Sequence, residues 1–162
     1  MSPRRFKADS SYPRSGIRTF SWRIRKRSPY EGETLGGKRT RVKLKVPTLP
    51  AFVLAKGLIF ERRPTVYKKG KDLAYLYEVL MKPEWRKRII EGLAETAAKH
   101  PAPWYRKFKR NLDEAFATEN SSGPTWIALQ YPGRDAAETG REAFRAFRAF
   151  LVELKVLRGR LL

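Results

Sequence analysis

Cysteine is absent and histidine occurs once, at position 100. Without thiols the chain forms no disulfide, offers no thiolate metal site and has no cysteine nucleophile. A single imidazole rules out a His-based zinc site, and His100, set in "KHPAP", reads as the end of a helix stopped by proline. Long apolar runs are missing too. The longest, around Phe52 to Phe60, is interrupted by Lys56 and is too short to cross a bilayer, so no membrane partner is expected. The opening residues, "MSPRRFKADSSYPRSGIR", have no apolar stretch behind them and do not read as a secretory signal; a cytoplasmic location is the expectation. Acid is scarce: 16 Asp and Glu stand against 36 Lys and Arg, a formal charge of +20.

What is present follows from that surplus. A charge of this sign and size attracts polyanions by releasing their counterions, which makes nucleic acid the first partner to consider, bound with little sequence preference. The charge does not signal disorder, because 41% of the residues are hydrophobic and 12% aromatic, enough to bury a core. At 162 residues the length fits one domain.

The charge is uneven. Residues 1 to 45 hold fourteen Lys or Arg and three acids. Residues 1 to 16 lack periodicity and contain Pro3, Pro13 and Gly16, the pattern of a flexible basic arm. From Phe20 the pattern has period two: Phe20, Trp22 and Ile24 share one face, and Arg23 and Arg25 the other. After a turn-rich "SPYEGETLGGK", Thr40, Val42, Leu44 and Val46 alternate with Arg41, Lys43 and Lys45. Together these segments predict a basic β-hairpin over about residues 17–46, with an apolar face that needs a covering layer.

The remainder reads as helices. Thr48 and Pro50 open one that runs to about Arg62. Asp72 has the residue type of an N-cap and precedes Leu73, Leu76, Tyr77 and Leu80 at helical spacing. Pro83 starts a third helix, with Trp85, Ile89 and Leu93. A fourth carries Trp104, Phe108, Leu112 and Phe116, and the last, from about Asp135 to Leu157, buries Phe144, Phe147, Leu151 and Leu154. "TWIALQYP" fits either an extended piece or an irregular helical turn. The expected class is therefore α+β, mainly α: one domain over residues 17–162, with the hairpin packed on a bundle of about five helices.

One stretch carries chemistry. Lys56 shares a helix face with Phe52, Ile59, Phe60 and Arg63, so its ammonium either snorkels to water or meets an anion. Arg62, Arg63, Lys68, Lys69 and Lys71 follow, with Gly70 among them, and read as a loop suited to a triphosphate or an RNA backbone. Asp72 beside Lys71 either orients a lysine or caps its helix. The hairpin adds Arg23, Arg25 and Lys43 around Trp22, a mixture of cation and aromatic found on nucleic-acid surfaces, although Trp22 is equally suited to burial under the helices.

The run "VPTLPAFVLAKGLIFERR…KKGKDLAYLYEVL" resembles the segment that follows the catalytic sheet in bacterial nucleotidyltransferase-fold proteins of the abortive-infection toxin type. Lys56, Arg62, Lys71 and Asp72 fall on its matching positions. The likeness continues through the "GP" turn at Gly123 and Pro124 into a long closing helix, covering roughly residues 30 to 157. It implies that Lys56 and Asp72 contribute to nucleotide handling. Two departures accompany it. Tyr75 stands where such proteins have a second Asp, and no D-x-D or E-x-D precedes Lys56. Nucleotidyl transfer needs carboxylates to hold Mg²⁺ against the triphosphate, and arginines do not replace them.

The resemblance therefore implies a helical domain that binds nucleotide or RNA phosphates, tRNA among the candidates, and is inactive alone. No cofactor is expected unless a partner protein supplies carboxylates, in which case Mg²⁺ and a nucleoside triphosphate enter. Two alternatives stay open: a basic nucleic-acid-binding accessory protein, or one subunit of a split nucleotidyltransferase.

Overall fold

The computed structural model describes residues 25–34, 36–99 and 102–160. The described residues are mainly helical, with six α-helices, one 3₁₀ turn and an antiparallel hairpin among them. The expectations for Phe20, Trp22, Arg23, Ile24 and His100 lie outside the described residues.

Strand β1 spans Arg25–Glu33 and β2 spans Arg39–Pro47, paired in continuous register from Arg25↔Pro47 to Glu33↔Arg39. Residues 28–33, read from sequence as turn, are strand; the reversal is confined to 34–38. Pro29 does not prevent this, since a two-stranded sheet has only edge strands and its nitrogen can face outward. The turn closes through Thr34 N–H to Lys38 O at 3.0 Å and Gly37 N–H to Thr34 O at 2.9 Å. Gly37 sits at φ +75°, where a side chain would be strained. Val42 and Val46 on β2 are 46% and 37% exposed, so no helix covers these two positions of the hairpin.

Helix α1 (Leu49–Ile59) starts with Pro50 in its first turn and passes into the 3₁₀ turn Phe60–Arg62. Thr48 takes the N-cap position, yet its hydroxyl makes no capping bond and is buried without a partner. Helix α2 runs Val66–Leu80, six residues ahead of the start assigned from Asp72. Its N-cap is Thr65, whose Oγ1 accepts from Lys68 N–H at 3.3 Å. Helices α3 (Pro83–Lys99), α4 (Ala102–Ala115), α5 (Ser122–Ala128) and α6 (Ala136–Arg160) follow. Asp135 caps α6, accepting Glu138 N–H at 2.6 Å.

Helix α1 packs on α3 and α4, α2 on α5 and α1, and α6 on α5 and α3. Each contributes its apolar stripe to one core, including Val53 and Leu58 of α1, Leu73 and Leu76 of α2, Ile89 and Leu93 of α3, and Phe108 and Leu112 of α4. Phe116 and Phe147 stack with ring centroids 3.8 Å apart and planes 7° from parallel. Phe150 is fully buried in α6 while Phe144 is only partly so. Two close approaches set the helices around α1 and α2. Gly57 lies against the ring of Phe108, and Gly70 lies against the carbonyl of Trp126, where an added Cβ would come within 2.4 Å of each. Asn111 Nδ2, buried in α4, donates to Gly57 O at 3.0 Å and so satisfies a carbonyl near the end of α1. Among the described residues no helix is long and apolar enough to cross a membrane.

Candidate phosphate-binding face

Asp72 is buried in the second turn of α2, 4% exposed, and points toward α1. Lys56 Nζ donates to its Oδ1, and Arg63 Nε donates to its Oδ2 at 2.6 Å. One carboxylate thus neutralises part of two cations that reach it from different directions, Lys56 from α1 and Arg63 from the connection. Arg63 precedes Pro64 and is extended, with φ −69° and ψ 136°, the conformation a following proline favours. That extension turns the chain so that its guanidinium faces α2. Lys56 neither snorkels free nor is left vacant for a phosphate; its ammonium is held by Asp72, 5.7 Å from the ring centroid of Phe52 and 5.3 Å from that of Tyr75. Asp72 does not cap a helix. It lies seven residues inside the cap at Thr65, and the orienting role is the one its geometry fits.

The sequence-predicted cations otherwise divide into two groups. Lys69 is engaged, 3.5 Å from Glu61 and 5.1 Å from the ring centroid of Trp126. Arg62, Lys68 and Lys71 are exposed, and no carboxylate among the described residues pairs with them. Lys68 and Lys71 occupy the opening turns of a helix that has no acid in its first turn. Backbone N–H groups already make that end positive, so each lysine adds to an unfavourable field that an anion relieves. Residues 56–72 carry six cations against Glu61 and Asp72. Helix, not loop, presents the three lysines from Lys68 to Lys71, and that ordering brings in two side chains to which the sequence reading assigns no binding role. Tyr67 is 64% exposed and Tyr75 is 40% exposed. With Lys71 between them they form an i, i+4, i+8 row along one side of α2; the row is visible in sequence once the helix is started at Thr65.

On the hairpin, Arg25 pairs across from Pro47 and Lys43 from Pro29, away from the α1–α2 face in sequence; Arg23 lies outside the described residues.

A second polar cluster sits at the other end of α2. Tyr77 Oη donates to Glu142 Oε2 at 3.1 Å, and Arg134 Nη2 donates to the same oxygen at 3.0 Å. Tyr131 Oη donates to Glu78 Oε1 at 3.0 Å, and the two tyrosine rings meet edge to face at 6.1 Å. Burial, then the bond to Glu142, pushes the Tyr77 hydroxyl above its ordinary pKa; burial, then the bond to Glu78, does the same to Tyr131. Here every charge named meets a partner.

Among the described residues, no group of three or more His, Cys, Asp or Glu side chains is placed to hold a metal ion. Asp72, with both oxygens bonded to cations, has no donor set around it that fits Mg²⁺. The chain matches no protein-family model, no curated protein and no solved structure.

Proposed function

We propose that this is a nucleotidyltransferase-related helical domain that binds RNA or nucleotide phosphates on the α1–α2 face and does not transfer nucleotides alone. The observation that carries the reading is the unequal pairing of charge around Asp72: Lys56 and Arg63 are held by it, whereas Arg62, Lys68 and Lys71 stand exposed beside them. Exposed cations that no carboxylate pairs with among the described residues, Lys68 and Lys71 on the opening turns of α2 and Arg62 in the 3₁₀ turn before it, meet phosphate oxygens without first breaking an ion pair. Lys56 and Asp72 act as positioning residues, fixing the connection on which Arg62 sits. Among the described residues no group of three or more His, Cys, Asp or Glu side chains is placed to seat a magnesium ion; on this reading the acids that nucleotidyl transfer requires are supplied from elsewhere, a partner polypeptide being the candidate.

Binding of labelled RNA over a salt series tests the reading. Affinity is expected to fall steeply with salt and to vary little with sequence, and Arg62→Glu with Lys71→Glu to flatten the dependence. Salt-insensitive or strongly sequence-selective binding contradicts it. For the catalytic half, the purified chain incubated with magnesium, labelled nucleoside triphosphates and tRNA is expected to transfer nothing. Transfer that persists through purification and vanishes in Lys56→Ala overturns that half.

A second reading rests on the hairpin. Each strand has one edge unpaired among the described residues, and Val42 and Val46 are exposed. Such an edge accepts a strand from another polypeptide, the route by which a separate subunit would supply a carboxylate-bearing sheet. Co-expression with a partner that converts the inactive chain into a magnesium-dependent transferase is the outcome that favours it.

A further inference from the structure

The row Tyr67, Lys71, Tyr75 adds flat apolar surface to a face otherwise explained by charge. Phosphate binding needs no aromatic ring. Yet both rings stand out from a helix whose opposite stripe, Leu73, Leu76 and Leu80, is fully buried. Tyr75 is held in place: Lys56 Nζ and Lys71 Nζ lie 5.3 and 5.9 Å from its ring centroid, and Lys56 is itself fixed by Asp72. Both ammonium groups lie over the ring, so a base would stack on Tyr75 by displacing Lys71, whose freed ammonium then meets a neighbouring phosphate while Lys56 stays on Asp72.

Spacing decides which form of nucleic acid fits. Eight residues of α-helix separate Tyr67 from Tyr75 by about 12 Å along the axis, with Lys71 midway. Bases in a stacked strand lie about 3.4 Å apart, and a duplex hides their faces in the stack. Two rings about 12 Å apart therefore meet base faces only where a strand is unpaired and drawn open. We propose that the α1–α2 face takes single-stranded nucleic acid, with bases on Tyr67 and Tyr75 and the connecting phosphates on Lys68 and Lys71. The proposal rests on the phosphate-binding reading above and specifies its ligand.

The test compares a short labelled oligouridine, the matching DNA strand and a fully paired RNA duplex, by fluorescence anisotropy over a salt series, with the intact chain. The single strands are expected to bind more tightly than the duplex, and the DNA strand to bind comparably to RNA because neither contact reads the 2′-hydroxyl. Replacing Tyr67 and Tyr75 with Ala is expected to weaken single-strand binding by about ten-fold per ring while leaving the salt slope unchanged. Tyr67→Phe with Tyr75→Phe, which keeps the flat faces, is expected to retain wild-type affinity. If the alanine pair binds single strands as wild type does, with salt-dependent binding intact, stacking is wrong and the phosphate reading stands. If neither single strand nor duplex shows salt-dependent binding, both fall.

Discussion

Helix α2 carries a polar cluster at each end, and the two are built to different rules. At its C-terminal end Tyr77, Tyr131 and Arg134 are matched to Glu78 and Glu142, and the network ties α2 to the segment before α6 and to α6 itself. At its N-terminal end Asp72 is shared by Lys56 and Arg63, and Arg62, Lys68 and Lys71 stand beside it with no carboxylate partner among the described residues. A network that satisfies itself stabilises the helix packing and leaves nothing over for a ligand. One that leaves like charges together at a helix start costs stability in the free protein, and an anion recovers it. On the proposed reading, binding falls at one end of α2 and structural support at the other.

The sharpest way to break the comparison is Asp72→Ala. Removing the buried carboxylate leaves Lys56 and Arg63 facing each other, and a loss of about 3 kcal/mol is expected by urea unfolding. Lys56→Met should cost less, since Arg63 still pairs with Asp72. An Asp72→Ala chain as stable as wild type would reduce the triad to a surface contact. Next in size, Gly70→Ala drives a methyl group into the Trp126 carbonyl. Stability is expected to drop by about 1–3 kcal/mol, because a backbone atom has to move.

At the matched end, Tyr131→Phe and Tyr77→Phe should each cost about 1 kcal/mol at neutral pH. They also change the alkaline limb. Both hydroxyls have pKa values raised above 10.0 in the folded chain, so the fold favours the neutral phenol. Their contribution is complete below pH 10.0 and is lost as the pH rises from there through the folded values. Unfolding free energy followed above that pH should fall more gently in the Tyr131→Phe variant; parallel curves would show that the half-buried phenol contributes nothing.

The smallest effect is the most discriminating. Lys68 is the third residue of α2 after its Thr65 cap. Lys68→Glu creates a capping box and places a negative charge on the positive helix end, so stability should rise by about 0.5–1 kcal/mol. RNA affinity should fall in the same variant. A change that stabilises the protein while weakening binding separates ligand recognition from folding.

Much of the helical body is legible in sequence, because Ile89, Leu93, Phe108, Leu112 and Phe116 repeat at spacings that only a helix buries on one side. The errors have physical causes. The start of α2 is hidden by "VYKKGKD", where Gly70 and three lysines look like a loop. Glycine is needed there for the approach to α5 rather than for flexibility, and Thr65 is the cap that the run of charge obscures. Asp72 has the residue type of a cap, but its role is set by Lys56 and Arg63, and no local pattern reveals a partner sixteen residues away. Helix α5 has seven residues, too few for periodicity to separate helix from strand. On the hairpin, "SPYEGE" carries turn residues inside a strand, since edge positions tolerate proline that a central strand does not. The charge surplus and the candidate cations are legible; which of them are already paired is not.

The salt dependence of RNA binding tests the central claim most directly. Plotting log affinity against log salt for the wild-type chain and for Arg62→Ala, Lys68→Ala and Lys71→Ala combined, the wild type should give a steep negative slope. The triple variant should be shallower by about 0.7 for each phosphate no longer neutralised, with unfolding free energy within about 0.5 kcal/mol of wild type. Superimposable lines for the two proteins would place the binding elsewhere and contradict the account.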